Sequence, residues 1–184
     1  MRDARLSILE AAARVLPTNS AATLADVAAA AGLGRTTVHR HFPTREALLT
    51  ALAVDALDRI EAALAGCRLD DGPVPDVLAR VAAALVPMAD EFRFLEVGPE
   101  VWRMGGELDT RWYRLADRLD SVVDRGKREG DIRPDLPTAW IVDLVASAVW
   151  CAGDSIRDGR VAPREAPRLL VEVLLHGAGT RRAG

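Results

Sequence analysis

Between Leu33 and Arg45 the chain gathers Arg35, Thr36, Thr37, His39, Arg40, His41, Thr44 and Arg45, with no Asp or Glu among them. These side chains suit one kind of partner. Arg offers a planar fork that donates two hydrogen bonds to a guanine edge, and Thr can donate, accept or touch a thymine methyl. Short hydroxyls, imidazoles and cations also meet phosphate oxygens. The nearest acids, Asp26 and Glu46, stand where helices are expected to start, a position the helix dipole favours. The whole chain is mildly acidic, with a net charge of −3, so nucleic-acid binding has to come from this local patch.

The flanking residues define the elements that hold the patch. Thr23 is a good N-cap with Asp26 three positions on. Leu24, Val27, Ala28 and Ala31 then form the inner stripe of a short helix that Gly32 closes. After Gly32-Leu33-Gly34 a third helix runs to about Phe42, with Val38 and Phe42 on one side and Thr36, Thr37, His39 and Arg40 on the others. Pro43 ends it and Thr44 caps the next. Two short helices joined by a glycine-containing turn make a helix-turn-helix, which presents its second helix to the major groove. Upstream, Asp3 to Leu16 forms a helix with Leu6, Leu9, Ala13 and Leu16 on one face and Ile8, Ala12 and Val15 beside it. Downstream, a long fourth helix carries Leu48, Leu52, Ala56, Ile60 and Ala63 and ends near Gly66.

The chain has 184 residues and is 49% hydrophobic. Alanine dominates that fraction, which favours an all-α fold with a sizeable core. "RLDDGPVPD" is a linker by its Gly, Pro and charges. Beyond it, helices are expected over Val74–Asp90 with a bend at Pro87, over a short stretch Phe92–Met104, and over Leu108–Gly126, Thr138–Ile156 and Pro163–His176. No apolar run reaches the roughly 18 residues that span a bilayer, and no signal peptide is evident, so a cytoplasmic protein with no membrane partner is expected. Cys67 and Cys151 lie in no metal-ligand spacing and are expected to be two buried thiols.

The stretch from Ile8 to about Leu52 resembles the DNA-binding domain of the tetracycline-repressor (TetR) family of bacterial transcription regulators. The resemblance rests on "LEAAARVL", "TLADVAAAAGLGRTTVHRHF" and "PTREALL". It implies an N-terminal three-helix helix-turn-helix domain over residues 1–50, joined by a long helix to a ligand-binding and dimerisation domain over 51–184. Arg35, Thr36 and Arg40 are then base readers, and Thr23, Thr37, His39, His41 and Arg45 phosphate contacts. Two positions depart from the family's pattern. Thr36 stands where Gly is common, adding a side chain toward the groove. His39 stands where Tyr is common, with less reach. The resemblance further implies a homodimer on double-stranded DNA, released when a small apolar or amphipathic effector enters the C-terminal region.

For that effector, Phe92, Phe94, Trp102, Trp112 and Trp150 are the candidate lining, although aromatic stripes are more often plain core. The expected dimer pair is Leu108–Gly126 with Thr138–Ile156, around Leu119 and Val145. The competing reading is an all-α enzyme or carrier without DNA function. No G-x-S-x-G, H-E-x-x-H or phosphate loop supports it. His39 and His41 diverge on a helix and cannot share a metal ion, so no catalytic residue, metal or cofactor is expected.

Overall fold

A computed structural model describes residues 3–89 and 106–178. Among them are eight α-helices and no strand: α1 (Ala4–Val15), α2 (Leu24–Ala31), α3 (Arg35–His41), α4 (Arg45–Gly66), α5 (Val74–Leu85), α6 (Glu107–Glu129), α7 (Thr138–Arg157) and α8 (Ala166–Ala178). They fall into two compact units. The first holds the residues up to Asp58 with the described residues 106–109, and the second holds 59–89 and the chain from Thr110 onward. The expected boundary after residue 50 falls inside α4, which is one continuous helix.

In the first unit, Asp3 caps α1 by accepting from the Arg5 amide at 3.0 Å. The buried face of α1 is Ile8, Leu9, Ala11 and Ala12, and α1 packs against α2. Of the expected face, Leu9 and Leu16 are buried along with Ile8 and Ala12, but Leu6 is 49% exposed. At the end of α2, Gly32 takes φ +67°, and the amides of Gly32 and Leu33 donate back to Ala29 and Ala28. A residue with a Cβ would be strained there. Val27, Val38, Phe42, Leu48 and Leu49 complete this core. Burying each such side chain contributes about 1.5–3 kcal/mol before the cost of ordering the chain.

In the second unit, α5 buries Val74, Val77, Leu78, Val81, Ala82 and Leu85, the i, i+3, i+4 spacing of a core helix. At Pro87 it tightens into a 3-10 turn over Val86–Met88, since proline removes the amide an α-turn needs. α6 runs past Gly126, which packs under Ile132 and Val74, and stops at Gly130, where φ is +85°. Lys127 donates to the Thr138 hydroxyl at 2.7 Å, and that hydroxyl donates to Asp124 at 2.5 Å. This pins the end of α6 to the start of α7.

By length and composition alone α7 is long and apolar enough to cross a membrane. It nevertheless carries Asp143, Asp154 and Arg157 and packs one side, Ile141, Val142, Val145 and Val149, into the unit's own core. Cys67 is buried as expected, but Cys151 is exposed; both are free thiols. Cys151 lies on the side of α7 opposite Val149.

Candidate DNA-binding face

The start of α2 is closed by a reciprocal cap. The Asp26 carboxylate accepts from the Thr23 amide at 2.8 Å and the Thr23 hydroxyl at 2.7 Å, and the Asp26 amide donates to that hydroxyl at 3.3 Å. The hydrogen bond from the Thr23 amide, then that from its hydroxyl, hold the Asp26 carboxyl below its ordinary value, with a smaller contribution from the charge of Arg35. Asp26 is therefore a fixed anion that supports the cap.

α3 is anchored by Val38, which is fully buried, and by Phe42 at its C-terminal end. With Val38 inward, Arg35, Thr36, His39 and Arg40 are exposed, and Thr37 and His41 are half-buried. The structure thus presents four of the proposed DNA-contacting side chains of α3 to solvent and sets the other two at its edges. Thr23 is exposed beside the cap, with its hydroxyl already engaged.

Arg45 has a different environment. Its Nη2 donates to the Ser20 carbonyl at 2.5 Å and its Nε to the Ala22 carbonyl at 3.2 Å, while the Thr44 hydroxyl caps α4 by accepting from the Ala47 amide at 3.0 Å. The guanidinium ties the first turn of α4 to the loop that leads into α2. Sequence reasoning missed Arg5, whose guanidinium stands 5.7 Å from the centre of the Phe42 ring. That cation–π contact adds positive charge beside the end of α3. No local signal marks it, because the partners are far apart in sequence.

Residues 8–52 match the family described as bacterial regulatory proteins, tetR family. Over 155 residues the chain is 31% identical to the HTH-type transcriptional repressor LfrR of Mycolicibacterium smegmatis, covering 84% of this chain and 80% of that protein. The chain belongs to the TetR family. It is also 27% identical to the HTH-type transcriptional regulator NfxB of Pseudomonas aeruginosa, covering 93% of this chain and 92% of that one. A crystal structure of the TetR-like regulator LfrR from Mycobacterium smegmatis in complex with proflavine superposes with a TM-score of 0.79 at 28% identity, covering 96% of this chain and 97% of that one.

This TetR-family chain is accordingly a DNA-binding transcription regulator with an all-α fold, and operator DNA is its partner. Its relatives are regulators rather than enzymes, so the competing reading of an enzyme or carrier falls away.

Of the aromatics proposed for an effector, Phe92, Phe94 and Trp102 lie outside the described residues. Trp112 on α6 and Trp150 on α7 are half-buried. The expected dimer positions resolve differently. Val145 is only 5% exposed and belongs to the chain's own core, whereas Trp140 is 58% and Val173 72% exposed. Trp140, Leu144, Ser147 and Cys151 recur at i, i+4, i+7 and i+11 and are all exposed, so among the described residues α7 leaves one side uncovered.

Proposed function

We propose that the chain is a cytoplasmic, homodimeric repressor that holds two operator half-sites through α3 and leaves them when a small apolar or amphipathic molecule binds its C-terminal region. The observation that carries this reading is α3 itself: a short helix locked by Val38 and Phe42 whose remaining surface is cationic and hydroxylic. Arg35, Thr36 and Arg40 read base edges, and Thr23, Thr37, His39 and His41 meet phosphates. Arg45 joins them through the loop it grips at Ser20 and Ala22. Residues 1–50 act as the reading head and 51–184 as the effector and dimer region. Operator DNA as partner implies residence with the chromosome, in the cytoplasm.

Repression is supported by the name of the relative LfrR, a transcriptional repressor. A small-molecule effector is supported by the proflavine complex of an LfrR structure and by the aromatic character of Phe92, Phe94, Trp102, Trp112 and Trp150. Proflavine is planar, aromatic and amphipathic, the chemistry such residues would stack against. The homodimer uses the exposed side of α7, Trp140, Leu144, Ser147 and Cys151, with Val173 of α8. A four-helix bundle built from two helices of each chain would cover it.

The test combines operator release with tryptophan emission. All four tryptophans lie beyond residue 100 and none in the head. A duplex selected by the protein from genomic DNA should be bound in low-micromolar or tighter fashion and released by proflavine, with quenching over the same concentration range. Trp112→Ala should weaken quenching and release together. Quenching without release, or neither, would leave a DNA binder that no such effector controls.

A further inference from the structure

α1 packs against α3 as well as against α2. Phe42 closes α3, its amide donating to the Val38 carbonyl at 2.8 Å. The first turn of α1 sets the Arg5 guanidinium over the Phe42 ring, 5.7 Å from its centre. Phe42 is 3% exposed, whereas Arg5 is exposed, so the ring belongs to the core and the cation to the surface. A long side chain stacked on a buried ring gives up part of its rotamer freedom on folding. The charge therefore has a fixed place before any partner arrives.

That charge is not neutralised inside the first unit. Asp3, the nearest acid in sequence, accepts from the Arg5 amide at 3.0 Å. No carboxylate among the described residues pairs with the Arg5 guanidinium. Arg45 provides the contrast, since its guanidinium donates to the Ser20 and Ala22 carbonyls. Stacking uses the flat face of a guanidinium and leaves its N–H edge able to donate.

The place of the cation decides what it can meet. In a helix-turn-helix the second helix lies in the groove and reads bases from its N-terminal part, while other elements follow the backbone. Arg5 is on neither helix of the motif. It stands at the opposite, C-terminal end of α3, over the residue that follows His41. We infer that Arg5, held on the Phe42 ring, is a phosphate contact that extends the DNA-binding face from α3 onto the start of α1. It adds affinity common to all sequences and no base preference. The inference rests on α3 as the helix that meets DNA.

The experiment titrates full-length wild type, Arg5→Gln, Arg5→Lys, Phe42→Leu and Arg14→Gln onto the genome-selected duplex and a random duplex of equal length. A series of salt concentrations is used and thermal midpoints are recorded. Arg5→Gln should weaken both duplexes by the same factor, about five- to tenfold at 0.1 M salt, and lower the slope of log affinity against log salt by about one. Arg5→Lys keeps the charge and should keep the slope. Phe42→Leu removes the platform and should reproduce part of both losses on either duplex. Arg14→Gln removes the same charge from the exposed last turn of α1. That position is about 13.5 Å away at 1.5 Å per residue, farther than a Debye length at physiological salt, and the slope should stay as in wild type.

If Phe42→Leu fails to fold, Arg5→Gln against Arg5→Lys carries the test, since both leave the core intact. A wild-type slope in folded Arg5→Gln would overturn the inference. So would an equal fall in Arg14→Gln, which would make the effect one of net charge, or a loss confined to the genome-selected duplex. Arg40→Ala, run alongside, separates this inference from the reading it rests on. Operator affinity lost in Arg40→Ala but kept in Arg5→Gln removes Arg5 alone, and affinity kept in both removes α3 as the reading helix.

Discussion

Thr23 and Asp26 hold each other at the start of α2, the carboxylate accepting at 2.8 and 2.7 Å from the threonine amide and hydroxyl. Their pairing sets the direction in which α2, and behind it α3, leaves the preceding loop. Thr23→Ala removes the capping hydroxyl and should cost about 0.5–2 kcal/mol of stability in urea unfolding. The pH dependence has a definite sign. The Asp26 carboxyl lies below its ordinary value in the folded chain, chiefly through the hydrogen bond from the Thr23 amide and then through that from its hydroxyl. Its contribution is therefore complete above the unfolded carboxylate range and is lost as pH falls through the folded value. The thermal midpoints of wild type and Asp26→Asn should differ at neutral pH and converge below about pH 4.

Arg40 and Thr37 should separate specificity from affinity. Arg40 is exposed on α3, opposite buried Val38. Arg40→Ala should lose about 1–3 kcal/mol on the preferred duplex and little on random DNA. Thr37→Ala, at the edge of the same helix, should weaken both about equally. Anisotropy titrations on the two duplexes read the difference directly, and identical losses for the two variants would reject the division of roles.

Gly153 and Gly126 should respond differently to alanine. A Cβ at Gly153 would overlap the Cβ of Ala89, an atom fixed to the backbone, so the two segments must part. Overpacking of that kind costs about 1–3 kcal/mol. At Gly126 the neighbours are side-chain atoms of Ile132 and Val74, at 2.8 to 3.0 Å, which need give way by only a few tenths of an ångström. Removing a helical glycine also returns about 0.5–1 kcal/mol. Urea midpoints should rank wild type above Gly126→Ala and both above Gly153→Ala.

Trp140 and Val145 are five residues apart on α7 and face different surroundings, one 58% exposed and the other 5%. Trp140→Glu should keep the helical spectrum and shift sedimentation toward monomer. Val145→Glu should instead bury an unpaired carboxylate and unfold the chain, at a cost of several kcal/mol. A folded, fully dimeric Trp140→Glu would place the interface elsewhere.

The helix-turn-helix was legible in the residues because it is built from short-range chemistry. Thr23 as cap, Gly32 as the left-handed stop, Val38 and Phe42 as the inner side of α3 and Thr44 as the next cap each involve partners within a few positions. The family resemblance over Ile8–Leu52 rests on the same local spacing. Tertiary structure alone decided the rest. Periodicity marks a stripe as apolar but does not say what covers it, so Leu6 turned out to face solvent and Val145 the chain's own core. The same limit applies to charge. The partners of Arg45 lie 23 and 25 residues away, and Glu61, the partner of Arg111, lies 50 away. A side chain's hydrogen bonds at that range depend on how helices are brought together in space, which no local pattern of residues encodes.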